Sequence, residues 1–469
     1  MFRKSVFYCA LLMFGLATIA NSQTLHVVTN SEDDDVNSLR NVISIAESGD
    51  SIFFGSNLKG DTIWIDSSEL LISKNITIIG FPDTNLTIST HDSIRIVKIS
   101  KGSTCRINYV NIIGGTADFG GGIYNEGNLS LFRSRVAHNT AEYGGGIYND
   151  SSTNLFAIET TIERNIANSD GGGVINFGYV IFDRSTINNN EALGLHGGGV
   201  SHLMGTAIYI NSTLSSNKCR KFGGGIYNSA LTDISHTTMV LNDSERGGGL
   251  FNVYQKGFLY GSHSLIALNS ASVAGPDVHD PNGTDVVSHG YNLIGDISFL
   301  TSAIGSTGDI FGFPDNPIDP LIEPLAYNGG FTKTHALICL SPAINKGDSI
   351  GNQIVDQRGR NRNYDGKMDI GSFELQEDSC ESATGINERD LSSEVSIYPN
   401  PNNGRFNISL PEGMEFVNIV VRDLKGLEIQ TFDNRTSNQI ELTGIPSGTY
   451  LIHIKSSNYS FVKKLIINK

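Results

Sequence analysis

The sequence predicts an all-β protein: a right-handed parallel β-helix with three strands per coil, followed by a small antiparallel β-sandwich. A phrase of three glycines and an apolar residue occurs six times between residues 114 and 282, with successive copies 24 to 27 residues apart. Between the copies, apolar and polar residues alternate at period two, and no segment keeps helical spacing for ten residues. The last 75 residues, 395–469, form short alternating segments between proline, glycine and asparagine turns, a pattern typical of a small sandwich.

The near-constant period indicates stacked coils. A repeat of this size cannot bury its own apolar face, so it is stabilised by packing on its neighbours, with equivalent strands about 4.8 Å apart. The phrases begin at Gly120, Gly144, Gly171, Gly197, Gly223 and Gly247. We expect glycine at a corner of each coil, because glycine adopts positive φ without a Cβ clash.

Alignment of the copies reveals columns of like residues. In each phrase the apolar residue is predicted to point inward, the next residue outward, and the last residue inward again. The last residues are Asn125, Asn149, Asn176, His202, Asn228 and Asn252. A second polar column comprises Asn139, Asn165, Asn190, Asn217, Asn242 and Asn269, and five residues before each lies Ser134, Thr160, Ser185, Ser212, Thr237 or Ser264. Stacked amides can hydrogen-bond from coil to coil, so both asparagine columns are interpreted as structural.

The N-terminal region is predicted to contain a signal peptide and a cap. Residues 1–22 combine two basic residues, an apolar run and a small-residue end, which is typical of a secretory signal. Residues 23–113 are predicted to form the cap and the first, irregular coils. One short helix is expected to start after Asn37 or Ser38 and to end at Gly49.

Charge and cysteine usage restrict the partners and the environment. The formal net charge is −15, and an acidic body repels phosphate backbones, which excludes nucleic acid as a partner. Beyond the signal peptide no stretch is apolar enough for a membrane-spanning helix. Cys105 and Cys219 lie four coils apart, beyond disulfide reach. Cys339 and Cys380 could pair in an oxidising compartment, and the sequence leaves that pairing open.

Two stretches resemble secreted bacterial β-helix proteins. The opening VTNSEDDDVNSLRNVISIAESGDSIFF and the GGGIYN repeats resemble right-handed β-helix proteins of the polymorphic outer membrane protein type and related adhesins. Residues 283–375, with YNLIGD, DQRG and DIGSFE, are similar to the choice-of-anchor Q region that closes such helices. This resemblance implies architecture, because families of this kind contain adhesins as well as sugar-cleaving enzymes.

The C-terminal region resembles an export domain. Residues 376–394 are polar and acidic, and we interpret them as a linker. The sequences YPNP (Tyr398 to Pro401) and NGRF (Asn403 to Phe406) and the basic end, within residues 395–469, resemble the type A C-terminal sorting domain of the type IX secretion system of Bacteroidetes. The resemblance implies contact with the secretion machinery, passage across the outer membrane, and a cell-surface or released product.

Candidate catalytic and metal-binding residues are sparse. A glycoside hydrolase on a β-helix needs converging carboxylates, and a lyase needs a basic residue, usually beside calcium. Asp183 and Asp233 are predicted to face outward two coils apart, roughly 10 Å, at the far edge of an inverting pair. No cofactor or metal is predicted. Calcium binding stays open, but no specific motif supports it. The run Asp33 to Asp35 could bind a cation, but a solvated loop is the better interpretation.

The outward column of the repeats is the candidate binding surface. It contains Tyr124, Tyr148, Tyr227 and Phe251, whose rings could stack on sugar rings. The alternative is that these rings pair across strands for stability, and the interruption by Ile175 and Ser201 favours it.

Two functions therefore stay open. The first is a secreted or surface-displayed structural and adhesive role, which includes glycan binding through the outward column. The second is a carbohydrate-active enzyme, either a polysaccharide lyase or a glycoside hydrolase. The lack of one clustered set of acids and bases favours the first.

Overall fold

The computed structural model divides into two compact units, Met1–Gln376 and Glu377–Lys469. It describes residues 24–84, 86–253, 255–280, 285–300, 305–348, 354–362, 366–376, 395–410, 416–423, 428–433, 439–456 and 460–468. The predicted signal peptide and all of the predicted linker except Gln376 lie outside these residues. None of the helices that the structure describes has the length and hydropathy to cross a bilayer.

The first unit is a parallel β-helix, which confirms the predicted fold class. Its strands, numbered in chain order, form four parallel sheets. Sheet A contains β1 (Leu25–Val28), β2 (Ser51–Phe54), β5 (Ile76–Ile79), β8 (Thr104–Asn108), β12 (Asn128–Phe132), β16 (Asn154–Ile158), β20 (Tyr179–Asp183), β24 (Thr206–Ile210), β28 (Leu231–Ser235), β32 (Phe258–Ser262) and β36 (Val286–Ser288). Sheet B contains β3 (Thr62–Trp64), β6 (Leu86–Ser89), β9 (Val110–Ile113), β13 (Arg135–Ala137), β17 (Thr161–Glu163), β21 (Thr186–Asn188), β25 (Thr213–Ser215), β29 (Thr238–Val240), β33 (Leu265–Ala267), β37 (Leu293–Ile294) and β38 (Ile310–Phe311).

The other two sheets complete each coil. Sheet C contains β10 (Thr116–Phe119), β14 (Thr140–Tyr143), β18 (Ile166–Asp170), β22 (Glu191–Ala192), β26 (Lys218–Cys219), β30 (Asp243–Arg246) and β34 (Ser270–Ala274). Sheet D contains β4 (Leu70–Ile72), β7 (Val97–Ile99), β11 (Ile123–Asn125), β15 (Ile147–Asn149), β19 (Val174–Asn176), β23 (Val200–His202), β27 (Ile226–Asn228), β31 (Leu250–Asn252) and β35 (Val278–His279).

A regular coil contains four strands, one more than the three that the sequence predicts. In the coil that starts at Asn128 these are β12, β13, β14 and β15. The additional corners lie at Arg133 and His138, which adopt positive φ of 48° and 56° and separate β13 from its neighbours. A left-handed conformation at a residue other than glycine has a weak sequence signature, so β13 and β14 are not distinguishable as two strands from the sequence.

The glycine phrase forms the corner between sheets C and D, as predicted, and its glycines serve different purposes. The first has positive φ, for example 66° at Gly144. The second and third lie against the next coil: a Cβ on Gly145 would come within 2.5 Å of the Gly172 carbonyl oxygen. A side chain at the second or third glycine would therefore force the neighbouring coils apart.

The core follows the predicted columns. The apolar column of the glycine phrases points inward and is fully buried: Ile123, Ile147, Val174, Val200, Ile226 and Leu250. At the N-terminal end, helix α1 (Leu39–Ile45) starts after Ser38, whose side chain accepts a hydrogen bond from Asn41 N–H. A short 3₁₀ helix spans Ser56–Leu58. Asp33 pairs with Arg40 at 2.8 Å and accepts the Ser67 N–H, so this carboxylate ties the cap together.

Residues 283–375 do more than close the end of the β-helix. Strands β36, β37 and β38 extend it, but residues 312–348, 354–362 and 366–376, called here the covering segment, run back over the outer face of sheet B. Thr332 Oγ1 donates to the Arg184 carbonyl at 2.8 Å, and Thr213 Oγ1 donates to Gln357 Oε1 at 2.7 Å. These contacts join residues more than 140 positions apart, so no local sequence pattern indicates this packing.

The cysteines agree with the predicted spacing. Cys105 and Cys219 are buried free thiols. Cys339 is disulfide-bonded, whereas Cys380 lies outside the described residues, so its pairing with Cys339 stays a prediction.

The second unit is antiparallel. One sheet contains β39 (Ser396–Tyr398), β40 (Arg405–Ser409) and β43 (Gln439–Glu441), and the other contains β41 (Phe416–Arg422), β42 (Glu428–Asp433), β44 (Gly448–Ser456) and β45 (Ser460–Ile467). Phe406 and Ile440 from the first sheet share one core with Ile419 and Ile452 from the second. Two sheets packed face to face match the small sandwich that the alternating segments predict.

Candidate functional site

The predicted aromatic column lies on the outer face of sheet D. Tyr124 is in register with Tyr148, and Tyr227 with Phe251. All four side chains are half-buried. Ile175 and Ser201 occupy the two positions between the pairs and are buried, so the column is divided as the sequence indicates.

A second column, aromatic at four of its six positions and not predicted from the sequence, lies at the end of sheet C. It consists of the residues directly before the glycine phrases: Phe119, Tyr143, Asp170, His196, Phe222 and Arg246. Isolated bridges join His196 to Phe222 and Phe222 to Arg246. The glycine corner brings the two columns together, with ring centroids 5.2 Å apart for Phe119 and Tyr148, and 4.8 Å apart for Phe222 and Phe251. We call the rings of both columns, together with Phe177 and His279, which contact Tyr148 and Phe251, the aromatic surface. Its members are Phe119, Tyr124, Tyr143, Tyr148, Phe177, His196, Phe222, Tyr227, Phe251 and His279.

The N-terminal half of the aromatic surface contains rings in different orientations. Tyr124 and Tyr148 are nearly perpendicular, at 85° and 5.1 Å, and Phe119 stacks on Tyr143 at 5.7 Å. Phe119 remains 41 % exposed. Perpendicular rings cannot cover each other's faces completely, so part of a ring face is left for another molecule.

Charged groups border this half. The Arg95 guanidinium and the Lys98 ammonium each lie 5.1 Å from the Tyr124 ring centroid. The Tyr124 hydroxyl donates to Asp150 at 3.3 Å. Burial, together with the neighbouring carboxylates, raises the pKa of Tyr124 above its usual value, so the hydroxyl stays protonated. The edge of the surface therefore offers hydrogen-bond donors and acceptors beside the rings.

The C-terminal half is a parallel stack. Tyr227 and Phe251 are inclined by 5° with centroids 5.8 Å apart, and Phe251 lies 5.0 Å from His279 at 18°. In such a stack each ring covers a face of the next, which leaves mainly ring edges for contact.

A polar pair separates the two halves. His196 Nδ1 lies 3.1 Å from Asp170 Oδ2, within ion-pair distance but not aligned for a hydrogen bond. The backbone N–H of His196 donates to Asp170 Oδ1 at 3.0 Å. The His196 ring also contacts Tyr227 at 4.1 Å, so it connects the pair to the parallel stack.

The candidate acids Asp183 and Asp233 do not converge. Both lie on the outer face of sheet A, but Asp183 is in register with Ile210, whereas Asp233 is in register with Ile208. They are thus two coils and two residues apart, about 10 Å along the axis and about 7 Å along the strand. Burial raises the pKa of each carboxyl. Their separation exceeds that of the two carboxyl groups in an inverting hydrolase.

The column of serine and threonine residues that begins at Ser134, called here the hydroxyl column, is structural. Ser185 Oγ, for example, donates to the Ala157 carbonyl at 2.9 Å and accepts the Thr160 N–H at 3.1 Å. The Ser185 hydroxyl uses its hydrogen-bonding groups to join neighbouring coils, which argues against a role as a catalytic nucleophile. Over the part of the chain that the structure describes, no group of three or more histidine, cysteine or acidic side chains is arranged to hold a metal ion.

Comparisons with known proteins bear on the two units separately. No curated protein matches the chain. A crystal structure of pectate lyase Pel9A resembles it with a TM-score of 0.43 and 12 % identity, over 76 % of this chain and 97 % of that one. At this level the similarity carries no functional argument. Residues 396–468 match the family of secretion system C-terminal sorting domains, which confirms the predicted sorting domain and indicates a secreted or cell-surface protein.

Proposed function

We propose that this protein acts outside the cell as a glycan-binding, adhesive β-helix that is exported through the type IX secretion machinery. The N-terminal half of the aromatic surface is the proposed contact. The observation that carries the proposal is the set of partly exposed rings of Phe119, Tyr124 and Tyr148, which meet across the glycine corner.

Ring orientation and polar edges both suit a sugar. The face of an aromatic ring is electron-rich and attracts the C–H groups of a pyranose, while hydroxyl groups at the sugar edge need hydrogen-bond partners. Asp150 can accept from such hydroxyls. Lys98, which pairs with Glu126 at 3.1 Å, can donate to them. The coils repeat about every 4.8 Å, so a chain of linked sugars running along the axis would meet equivalent positions repeatedly.

Binding is favoured over catalysis. The acids with raised pKa, Asp183 and Asp233, lie on sheet A, away from the aromatic surface, and too far apart to act on one glycosidic bond. We therefore expect no reducing ends and no unsaturated products when the protein is incubated with plant and algal polysaccharides. Release of either product would contradict a purely adhesive role.

A pair of matched double variants tests the contact. Tyr124→Ala with Tyr148→Ala removes the perpendicular rings, whereas Tyr227→Ala with Phe251→Ala removes two rings from the parallel stack of the same sheet. On a glycan array, and with insoluble polysaccharides in sedimentation assays, the first variant should lose about tenfold or more in affinity. The second should bind like the wild type.

Circular dichroism and thermal unfolding establish that both variants keep the β-helix. Equal losses in the two variants would show that the rings act through stability. Unchanged binding by the first variant would remove the aromatic surface as the contact, and the absence of any glycan ligand for the wild type would end the proposal.

A further inference from the structure

The N-terminal end of sheet D borders a cleft of about 290 Å³. One wall is α1, which contributes Arg40, Ile43 and Ser44, and the other wall is β4 with its flanking residues. Because β4 is the terminal strand of sheet D, its outer edge has no neighbouring strand among the described residues. A terminal strand presents backbone donors and acceptors with strand spacing, which is the chemistry that another strand recognises.

The hydrogen bonds of β4 show which groups face the cleft. Leu70 N–H donates to the Ile96 carbonyl, and Ser100 N–H donates to the Ile72 carbonyl, both at 2.9 Å. In a parallel pair alternate residues bond to the same neighbour, so Leu70 and Ile72 use their backbone groups on β7. The backbone N–H and C=O of Leu71 therefore point to the opposite side, into the cleft. The Leu71 side chain is 51 % exposed.

Several other sheet ends are covered by neighbouring backbone. At the opposite end of sheet D, Asp280 N–H donates to the Phe299 carbonyl at 3.0 Å. At the start of sheet B, Trp64 N–H donates to the Ser31 carbonyl at 3.0 Å, and at the start of sheet C, Thr116 N–H donates to the Ile94 carbonyl at 2.8 Å. Among the described residues no backbone group covers β4, although the Arg40 side chain donates to the Ser68 and Glu69 carbonyls directly before it.

One cation at the cleft without a carboxylate partner favours an acidic occupant. Arg40 is engaged with Asp33 and donates to the Glu69 carbonyl at 3.0 Å, and the Glu69 carboxylate pairs with Arg95. Lys74 Nζ donates to the Ser44 carbonyl at 2.8 Å and to the Ala46 carbonyl, at the end of α1. Among the described residues no carboxylate lies within ion-pair distance of Lys74, so its charge is available to a partner.

We propose that the outer edge of β4 binds an extended, acidic peptide segment of another protein, which adds to sheet D as one further strand. Its backbone bonds to the Leu71 N–H and C=O, and an acidic side chain meets Lys74. The peptide backbone supplies the hydrogen bonds and the acidic residue sets the preferred register. This site lies on the terminal strand of the sheet and does not depend on glycan binding by the aromatic surface.

Fluorescence polarisation with the secreted full-length protein tests the proposal. The probe is a labelled eight-residue peptide of alternating threonine and valine that carries one glutamate, with the glutamate moved through each position. Saturable binding that depends on the glutamate position is expected. A peptide of the same length and net charge with prolines at alternate positions cannot pair as a strand and should not bind.

Three variants locate the site. Leu71→Pro removes the N–H that faces the cleft and should abolish binding, while Lys74→Glu should weaken it at least tenfold. Val27→Pro makes the same type of change on the outer side of β1, the terminal strand of sheet A, and should leave binding unchanged. Loss in Val27→Pro with retention in Leu71→Pro would overturn the assignment to β4.

Two further measurements cover the remaining outcomes. Should Leu71→Pro fail to fold, hydrogen exchange of the Leu71 amide in the wild type decides: protection by bound peptide supports the proposal, and unchanged exchange overturns it. Sedimentation detects self-association. A wild-type dimer that Lys74→Glu dissociates would make a second copy the occupant and overturn the peptide, as would failure of every peptide to bind.

Discussion

The β-helix contains two asparagine ladders, and they differ in what their hydrogen bonds connect. In the first ladder, Asn139, Asn165, Asn190, Asn217, Asn242 and Asn269, each Nδ2 donates to the next Oδ1 at 2.9 to 3.0 Å. Each receiving Oδ1 also accepts the backbone N–H of the preceding asparagine, as in Asn165 N–H to Asn190 Oδ1 at 3.0 Å. The first ladder therefore joins the backbone of one coil to the side chain of the next.

The second ladder comprises Asn125, Asn149, Asn176, His202, Asn228 and Asn252. The Oδ1 atoms of Asn125, Asn176 and Asn228 accept backbone N–H groups of their own coil, such as Gly127 N–H to Asn125 Oδ1 at 3.2 Å. This ladder also tolerates a histidine: Asn176 Nδ2 donates to His202 Nδ1 at 2.9 Å, and His202 Nε2 donates to the Leu231 carbonyl at 3.1 Å. The first ladder needs an amide oxygen that accepts two donors from the neighbouring coil, whereas the contacts of His202 between coils need one acceptor and one donor, which a neutral histidine supplies.

The largest expected effect is in the middle of the first ladder. Asn190→Leu keeps the approximate volume but removes the acceptor of the Asn165 N–H and Nδ2, and leaves the Ile162 carbonyl without its 2.9 Å donor. We expect a loss of about 5 kcal/mol in the free energy of unfolding, because buried donors are left unpaired. Chemical denaturation measures it.

Asn168→Leu serves as the control, because Asn168 is exposed in the same region. It should change the free energy of unfolding by less than about 0.5 kcal/mol. Equal effects of the two substitutions would contradict the structural importance of the ladder.

The next effect is at the end of the first ladder, where Asp277 replaces an asparagine. Its Oδ1 accepts the Asn269 Nδ2 at 2.8 Å, and burial raises the pKa of Asp277 to about 7. The folded state then holds a proton that the unfolded chain releases near pH 4, so the contribution of Asp277 to the free energy of unfolding should fall as pH rises from about 4 to 7, by about 4 kcal/mol. Because other groups titrate over the same interval, this contribution is measured as the difference in the free energy of unfolding between the wild type and Asp277→Asn at each pH.

A difference between the wild type and Asp277→Asn that stays constant over this interval would show that Asp277 does not cause a pH dependence. A difference that shifts in favour of the wild type as pH rises would reverse the sign and reject the explanation.

The smallest of the three effects concerns the interruption of the second ladder. Burial lowers the pKa of His202 to about 4, and a proton on Nδ1 would also displace the Asn176 donor. The unfolded chain binds that proton near pH 6.5, so the contribution of His202 to stability is lost as pH falls from about 6.5 to 4, by about 3 kcal/mol at most. His202→Asn should remove this loss and remain within about 1 kcal/mol of the wild type at neutral pH. A variant as acid-sensitive as the wild type would refute this role of His202.

The sequence predicts much of the β-helix, because identical residues repeat where identical hydrogen bonds recur. The inward column of Ile123 and the asparagine columns follow directly from the alignment of the glycine phrases. The fourth strand does not, because the corners at Arg133 and His138 depend on left-handed residues other than glycine. The covering segment also escapes prediction, because its contacts with sheet B are long-range and not periodic.

The candidate site could be predicted only in part. The column of Tyr124 and Tyr148 follows from the register, but its contact with Phe119 depends on the direction of the glycine corner. An aromatic residue directly before several glycine phrases, as at Tyr143 and Phe222, is the pattern that would have revealed the second column. Because Asp170 interrupts the second column, a single sequence does not reveal that column.

The three-glycine corners also determine how such a protein can change in length. Each corner offers its neighbour the same backbone surface, with no side chain to fit. Duplication or loss of one complete coil before the region that the covering segment contacts therefore preserves the junctions between the remaining coils, while a partial coil would misplace every column after it. Evolution can thus lengthen or shorten the β-helix in increments of about 4.8 Å, which shifts a binding surface on a later coil by the same distance.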